Sequence, residues 1–173
     1  MNNKEKKLFY ASLFLSGKPL SLTILRKIVE DPINLENRIT EYIKEFNSLN
    51  LGLKIRMVSE GYQMVTESEI YDELSEYFGE KGETLSRAAL ETLAAIAYSQ
   101  PITKNEIEAL RGVNSSGIIK NLLDRNLIKV IGRKDVPGKP LLYSTTKEFL
   151  EYFGLNSLSD LPTFREWQEL KKS

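Results

Sequence analysis

The chain has 173 residues, which suits one ordinary domain or two small ones. Its residues are 41% hydrophobic and 28% charged, a composition typical of a folded protein and outside the disordered class. Lysine plus arginine and aspartate plus glutamate number 24 each. This balance argues against a globally basic nucleic-acid binder but leaves room for a local basic face.

The sequence contains neither histidine nor cysteine. This excludes disulfides, cysteine-bearing zinc sites and every nucleophile pair that needs His or Cys. Acid–base chemistry would have to use carboxylates, lysine, serine or tyrosine alone, and the carboxylates lack the spacing of a metal-binding loop. The glycines form no phosphate-binding motif. The sequence therefore predicts a protein that is not an enzyme, with no catalytic residue, metal site or cofactor.

Three lysines near the start of the chain precede the apolar stretch 8–15, an order that resembles a signal peptide. Glu5 and Ser12 interrupt the pattern, and no cleavage site follows. No run approaches the roughly 18 apolar residues of a membrane-spanning helix. We therefore expect a cytoplasmic protein with no membrane partner.

The first half of the chain predicts three helices, a β-hairpin and a closing helix. Ser21, Asn34 and Ser68 are the expected N-caps of the second, third and closing helices. The hairpin turn is expected at 59–61. Apolar faces are expected at Leu8, Ala11 and Leu15, at Leu22, Leu25, Ile28 and Val29, at Leu35, Ile39, Tyr42, Ile43 and Phe46, and at Ile70, Leu74 and Phe78.

The second half repeats this order. Thr103 and Glu106 have the spacing of a capping box, as do Thr145 and Glu148. A third helix is predicted over 115–125, and Asn126 is expected to end it in the left-handed conformation. Pro137 followed by Gly138 predicts a type II turn between two strands.

This order of elements predicts a mainly α protein with small β-hairpins (α+β), built from two tandem winged-helix (winged helix-turn-helix) domains. We expect the N-terminal domain over residues 1–79, a linker over 80–84, the C-terminal domain over 85–154 and a tail over 155–173. In many winged helices the third helix enters the DNA major groove and the hairpin, or wing, contacts phosphates.

Only the second half could read DNA by this geometry. Lysine and arginine outnumber aspartate and glutamate by 10 to 7 over residues 84–153, whereas they are outnumbered by 14 to 11 over residues 1–83. A small positive excess is also what a solvated surface shows, and this alternative stays open. The candidate DNA contacts are Lys120, Arg125, Arg133, Lys134 and Lys139.

The first half contains most of the tyrosines that lie on or next to apolar faces. Core packing explains such residues, but aromatic side chains are also enriched at protein interfaces. The acidic first domain is therefore a candidate for self-association.

A near-continuous motif set runs from Leu85 to Pro162. Its segments are Ser86–Ala94, Gln100–Thr103, Arg111–Ser115, Gly132–Lys134, Pro137–Tyr143, Thr145–Thr146, Phe149–Leu155 and Leu158–Pro162. These segments strongly resemble the bacterial segregation and condensation protein B (ScpB) family. The first half is similar to that family in length and layout but carries little distinctive motif.

The resemblance implies two winged-helix domains and a homodimer formed mainly through the N-terminal domain. It also implies binding to the kleisin ScpA and, together with the Smc ATPase, assembly of a condensin-like complex that acts in chromosome condensation and partition. The protein would be a non-catalytic adaptor, located at the nucleoid through the complex, with DNA contact indirect or weak. The alternative is a winged-helix DNA-binding transcription regulator.

Partner contacts are expected at the exposed polar positions of the motif set. These are Arg87, Arg111, Asn114, Arg133 and Lys134. For each of them, helix capping or an ion pair within the domain is the competing explanation.

Overall fold

Helices and short antiparallel strands occur twice in the same order along the chain. The structure is a computed structural model that describes residues 3–29, 33–79 and 84–163. Two units are distinguished by their internal contacts, one of Met1–Glu80 with Gly154–Ser173 and one of Lys81–Phe153. The predicted linker lies outside the described residues except for Thr84, as do residues 164–173 of the predicted tail. The domain bounds inferred from the sequence stay a prediction.

The described helices of the first unit are α1 (Asn3–Ser16), α2 (Leu22–Ile28), α3 (Leu35–Asn47) and α4 (Tyr71–Phe78), the last preceded by a 3-10 turn over Ser68–Ile70. Its strands are β1 (Leu20–Ser21), β2 (Leu53–Val58) and β3 (Gly61–Thr66), in the sheet order β1-β3-β2.

The described helices of the second unit are α5 (Arg87–Ser99), α6 (Lys104–Arg111), α7 (Ser116–Asp124) and α8 (Lys147–Phe153). Its strands are β4 (Ile102–Thr103), β5 (Ile128–Arg133) and β6 (Leu141–Thr145), in the order β4-β6-β5. A second 3-10 turn, Leu158–Asp160, follows in the segment that belongs to the first unit. The predicted mixture of helices with small antiparallel sheets is confirmed.

Each sheet has a third strand that the sequence did not predict. Leu20 of β1 pairs with Tyr62, and Ile102 of β4 pairs with Tyr143. Both strands are two residues long and lie directly before a helix, so they are too short to show alternation. They join the start of a helix to the hairpin in each unit.

The predicted apolar face of α1 is wrong. Phe9 and Leu13 are buried, whereas Ala11 and Leu15 are exposed. Residues four positions apart share a helix face, so Phe9 and Leu13 lie in line with Glu5. The helix thereby joins a core that includes Leu25, Ile39 and Ile55.

A buried carboxylate joins α1 to α3. Glu5 is 3% exposed, and its Oε1 accepts a hydrogen bond from Arg38 Nε at 2.8 Å and one from the Tyr42 hydroxyl at 2.9 Å. Arg38 Nη2 donates to the other carboxylate oxygen at 3.1 Å. Burial, followed by the hydrogen bond to Glu5, raises the pKa of Tyr42. A carboxylate buried in this way is stable only because its charge and its lone pairs are matched.

The outer edge of β2 is closed by an amide side chain. Asn47, the last residue of α3, donates from Nδ2 to the Ile55 carbonyl at 2.9 Å and accepts from the Ile55 N–H at Oδ1 at 2.8 Å. The carboxamide therefore pairs with β2 as a neighbouring strand would, which blocks further pairing at this residue.

The hairpin of the first unit turns through two non-glycine residues in the left-handed region. Ser59 has a φ of 52° and Glu60 a φ of 58°, as a two-residue type I′ turn requires. The Ser59 N–H donates to the Leu155 carbonyl at 2.9 Å, and the Glu60 N–H donates to Asn156 Oδ1 at 2.9 Å. Residues from the end of the described chain therefore satisfy this turn.

Several predicted caps differ in detail. Asn34 and Ser21 precede α3 and α2, but neither side chain makes a capping hydrogen bond. Ser68 begins the 3-10 turn, and α4 starts three residues later. Thr146, rather than Thr145, accepts from the Phe149 N–H at the start of α8. Thr145 is the last residue of β6, where its hydroxyl donates to Gln100.

The first helix of the second unit, α5, packs its apolar face inward. Ser86 caps this helix by accepting from the Ala89 N–H at 3.2 Å, and the inward residues Leu93 and Ile96 are fully buried. Asn126 takes the left-handed conformation with a φ of 56°. The long periodic elements thus hold the second unit's core and position its surface residues.

Candidate partner-binding surface

Two of the candidate arginines share one carboxylate on α5. Arg111 Nη2 lies 2.9 Å from Glu91 Oε2, and Arg87 Nε lies 3.1 Å from Glu91 Oε1. Arg111 also donates from Nη1 to the hydroxyl of the buried Thr92 at 2.8 Å. Hydrogen bonds from Arg111 and then from Arg87 lower the pKa of Glu91.

Arg111 and Arg87 differ in the exposed fraction of their side chains. The Arg111 side chain is 10% exposed, whereas the Arg87 side chain is 89% exposed. Arg111 therefore joins the end of α6 to α5, and little of its side chain is available to a partner. Arg87 keeps most of its surface free for a contact.

Lys134 is held by the capping box that begins α6. Glu106 Oε2 accepts from the Thr103 N–H at 2.8 Å and from the Thr103 hydroxyl at 2.7 Å, which confirms the box predicted from the sequence. The other oxygen, Oε1, lies 2.5 Å from Lys134 Nζ. One carboxylate therefore caps the helix and ties the β5–β6 hairpin to it.

The contacts of Glu106 with Lys134 and Thr103 make the stability of the fold depend on pH. The hydrogen bond from Lys134, followed by those from Thr103, lowers the pKa of Glu106 from 4.5 to about 2. Because the folded pKa is the lower one, the stabilising contribution of Glu106 is present above pH 4.5 and is lost as the pH falls towards 2. We expect the Glu106→Gln variant to be less stable than the parent at pH 7, with the difference shrinking between these limits.

Urea denaturation at a series of pH values measures this difference, and a carbon-13 NMR titration of the Glu106 carboxyl measures its pKa directly. Glu148→Gln is the matched control, because Glu148 is an exposed glutamate in the first turn of α8. A stability difference that stays constant from pH 7 to pH 3 would contradict the assignment.

The remaining hairpin candidates are exposed. Arg133 Nη1 donates to the Lys139 carbonyl at 2.9 Å across the hairpin tip. Gly138 has a φ of 84°, and the Lys139 N–H donates to the Val136 carbonyl at 2.9 Å. These features confirm the predicted type II turn and leave the side chains of Arg133 and Lys139 at the surface.

Arg125, the candidate that directly follows α7, lines a shallow cleft. Lys120 and Asn121 are exposed and Arg125 is half-buried. The cleft has a volume of about 300 Å³ and is lined in part by Ser86, Asn121 and Arg125. Asn114, just before α7, is exposed and accepts from the Ser116 N–H at 3.0 Å, so part of its side chain orders the turn.

Exposed apolar residues lie on two helices of the first unit, α4 and α1. Phe78 was expected to point inward from the closing helix, but it is 81% exposed and no residue of α4 is buried. Tyr77 of the same helix and Phe14 and Leu15 of α1 are more than 70% exposed. Helix periodicity identifies an apolar face, but it does not say whether that face is covered within the same chain.

Neither a group of metal-binding side chains nor a membrane-spanning helix was found in the parts of the chain that the structure describes. Within 3–29, 33–79 and 84–163, no three His, Cys, Asp or Glu residues gather in a way that could hold a metal ion. No helix of these ranges is both long and apolar enough to cross a membrane.

Comparison with known proteins identifies the family. The family described as "Segregation and condensation complex subunit ScpB" matches residues 7–164. Segregation and condensation protein B of Syntrophotalea carbinolica is 44% identical over 96% of this chain and 85% of that protein. The protein of the same name from Desulforamulus reducens is 42% identical over 95% of this chain and 92% of that protein.

Among solved structures, the crystal structure of ScpB from Mycobacterium tuberculosis is 31% identical and covers 87% of this chain and 95% of that chain, with a TM-score of 0.41. The family match over residues 7–164 includes residues of both units. The chain belongs to the family of ScpB, a subunit of the segregation and condensation complex.

Proposed function

We propose that this protein is a non-catalytic adaptor subunit of a bacterial condensin-like complex. It acts as a homodimer that binds the kleisin ScpA and, with the Smc ATPase, takes part in chromosome condensation and partition in the cytoplasm. Family membership supports the complex. The observation that carries the adaptor role is the exposure of two apolar pairs, one on α1 and one on α4 of the first unit.

The pairs are Phe14 with Leu15 on α1 and Tyr77 with Phe78 on α4, and we use the name aromatic surface for these four exposed side chains. Exposed apolar patches mark protein interaction sites, and each of the two helices offers two adjacent exposed apolar residues to such a site. Their enrichment in aromatic residues is characteristic of protein–protein interfaces. The aromatic surface therefore supports dimerisation through the first unit.

The element order also supports two winged-helix domains over residues 1–79 and 85–154, with a linker over 80–84 and a tail over 155–173. Three helices, a hairpin and a helix occur in each unit. In this proposal the second unit presents Arg87, Asn114 and Arg133 to the partner. Arg111 and Lys134 support the surface from within, since both are engaged by carboxylates of their own unit.

Light scattering on size-exclusion chromatography tests dimer formation. We expect a mass near twice 19.8 kDa for the parent chain. Phe78→Glu places a charge in the interface and should reduce the mass towards that of the monomer. Tyr152→Glu, which changes an exposed aromatic residue of the second unit, is the matched control and should leave the dimer intact.

Adding purified ScpA tests the second part of the proposal. A stable larger species that forms without nucleotide would support the adaptor role. A monomer that shows no shift with ScpA, but binds one duplex sequence tightly and loses affinity steeply with salt, would favour the DNA-regulator alternative. The exposed Lys120, Arg133 and Lys139 are the observation behind that alternative.

A further inference from the structure

The strand β5 forms an open edge of the second unit's sheet. In the order β4-β6-β5 it pairs only with β6, and five of its six residues are exposed. Across the described residues, no side chain hydrogen-bonds to the backbone of Ile128–Arg133. An edge of this kind presents unpaired N–H and C=O groups on which another strand can add.

The corresponding edge strand of the first unit, β2, is paired by a side chain. There β2 follows the third helix as β5 does, but Asn47 pairs with both backbone groups of Ile55. In the described part of the second unit, Asp124 ends the corresponding helix α7, and no side-chain amide bonds to the backbone of β5. Within the residues that the structure describes, one edge is therefore closed by the chain itself and the other is open.

The charges along β5 indicate what kind of strand fits. Lys129 and Arg133 are exposed on the strand, Lys134 follows it, and no aspartate or glutamate lies between Ile128 and Lys134. Pairing with β5 of a second copy would bring like charges opposite each other, which destabilises a sheet. An acidic segment would instead meet opposite charges.

The apolar residues of β5 add to this specificity. Val130 and Ile131 are both more than 40% exposed, and the register with β6 shifts between Val130 and Gly132. A bulge of this kind protects an edge from long, indiscriminate pairing. A short strand with alternating apolar and acidic residues would still cover the edge.

We propose that the outer edge of β5 binds an extended acidic segment of a partner protein as an additional strand. Main-chain hydrogen bonds supply part of the affinity, while Lys129 and Arg133 select acidic side chains and Val130 and Ile131 contact apolar ones. This binding does not require the aromatic surface of the first unit.

The test uses the full chain and a short fluorescent peptide of alternating glutamate and valine. Fluorescence anisotropy measures its affinity, and hydrogen–deuterium exchange locates the protected amides. We expect saturable binding with protection over residues 128–133. A peptide with lysine in place of glutamate, and one with alternate backbone nitrogens methylated, should each bind at least about tenfold more weakly.

Charge-reversal variants of the chain test which side chains contribute to peptide binding. Lys129→Glu should weaken binding of the acidic peptide roughly threefold to tenfold, as the reversal of an exposed charge pair does. Lys147→Glu reverses an exposed charge at the start of α8 and is the matched control, with affinity unchanged within about twofold. Arg133→Glu is the second variant, and circular dichroism verifies that each variant is folded.

Four results would overturn the proposal. They are absence of binding by the acidic peptide, equal binding of the lysine peptide, protection at β2 instead of β5, and protection of β5 by a short DNA duplex but not by the peptide. The last result would assign the β5 cations to phosphate contacts.

Discussion

Replacing Glu5 by glutamine is expected to lower the free energy of unfolding by about 3 kcal/mol, because it removes the buried negative charge that accepts two hydrogen bonds from the Arg38 guanidinium. Glu5 is almost fully buried and accepts from both Arg38 and Tyr42. The neutral amide cannot satisfy both donors while its own N–H groups find acceptors. Urea denaturation followed by circular dichroism measures the change.

Lys6→Ala is the matched control for this prediction. Lys6 forms an ion pair with Glu45 at 2.7 Å between the same two helices, but both side chains are partly exposed. Exposed pairs of this kind are worth less than about 1 kcal/mol. If the Glu5→Gln and Lys6→Ala variants lose the same stability, the buried network does not have the role that we assign to it.

Arg111→Ala is expected to lower the free energy of unfolding by about 2 kcal/mol, because it removes a mostly buried side chain and its hydrogen bond to Thr92. Arg87→Ala provides the comparison, since Arg87 contacts the same glutamate from a fully accessible position. We expect the Arg87→Ala substitution to change the free energy of unfolding by less than about 0.5 kcal/mol, as surface substitutions usually do.

The same two variants separate folding from binding. Arg87→Ala should weaken ScpA binding if Arg87 contacts the partner, while its denaturation midpoint stays that of the parent. Arg111→Ala should instead lower the denaturation midpoint. A stable Arg111→Ala variant that fails only in binding would show that Arg111 contacts the partner directly.

Helix periodicity and capping signals predicted most of the fold. The capping box of Thr103 and Glu106, the left-handed Asn126 and the turn at Pro137–Gly138 are all formed as expected. Each depends on residues within a few positions of one another, so the local sequence contains the necessary information.

Features that depend on distant residues were not predicted. The alignment of Glu5 with Arg38, and of Asn47 with the edge of β2, requires packing between elements that lie far apart in the sequence or follow an intervening loop. The exposure of Phe78 depends on whether any other part of the chain covers α4, which no local pattern records. The sequence was sufficient to name the residues of the candidate site. It was not sufficient to identify the ion-pair partners that these residues have within their unit.

The hairpin turn at Ser59 and Glu60 also bears on how the chain folds during synthesis. Its two backbone N–H groups find acceptors on Leu155 and Asn156, almost a hundred residues later. When the first unit leaves the ribosome, these acceptors have not yet been made, and the whole second unit must be translated before they emerge. The two hydrogen bonds of this turn can therefore form only after the second unit has been translated, and a chain that stops at Phe153 would lack both acceptors.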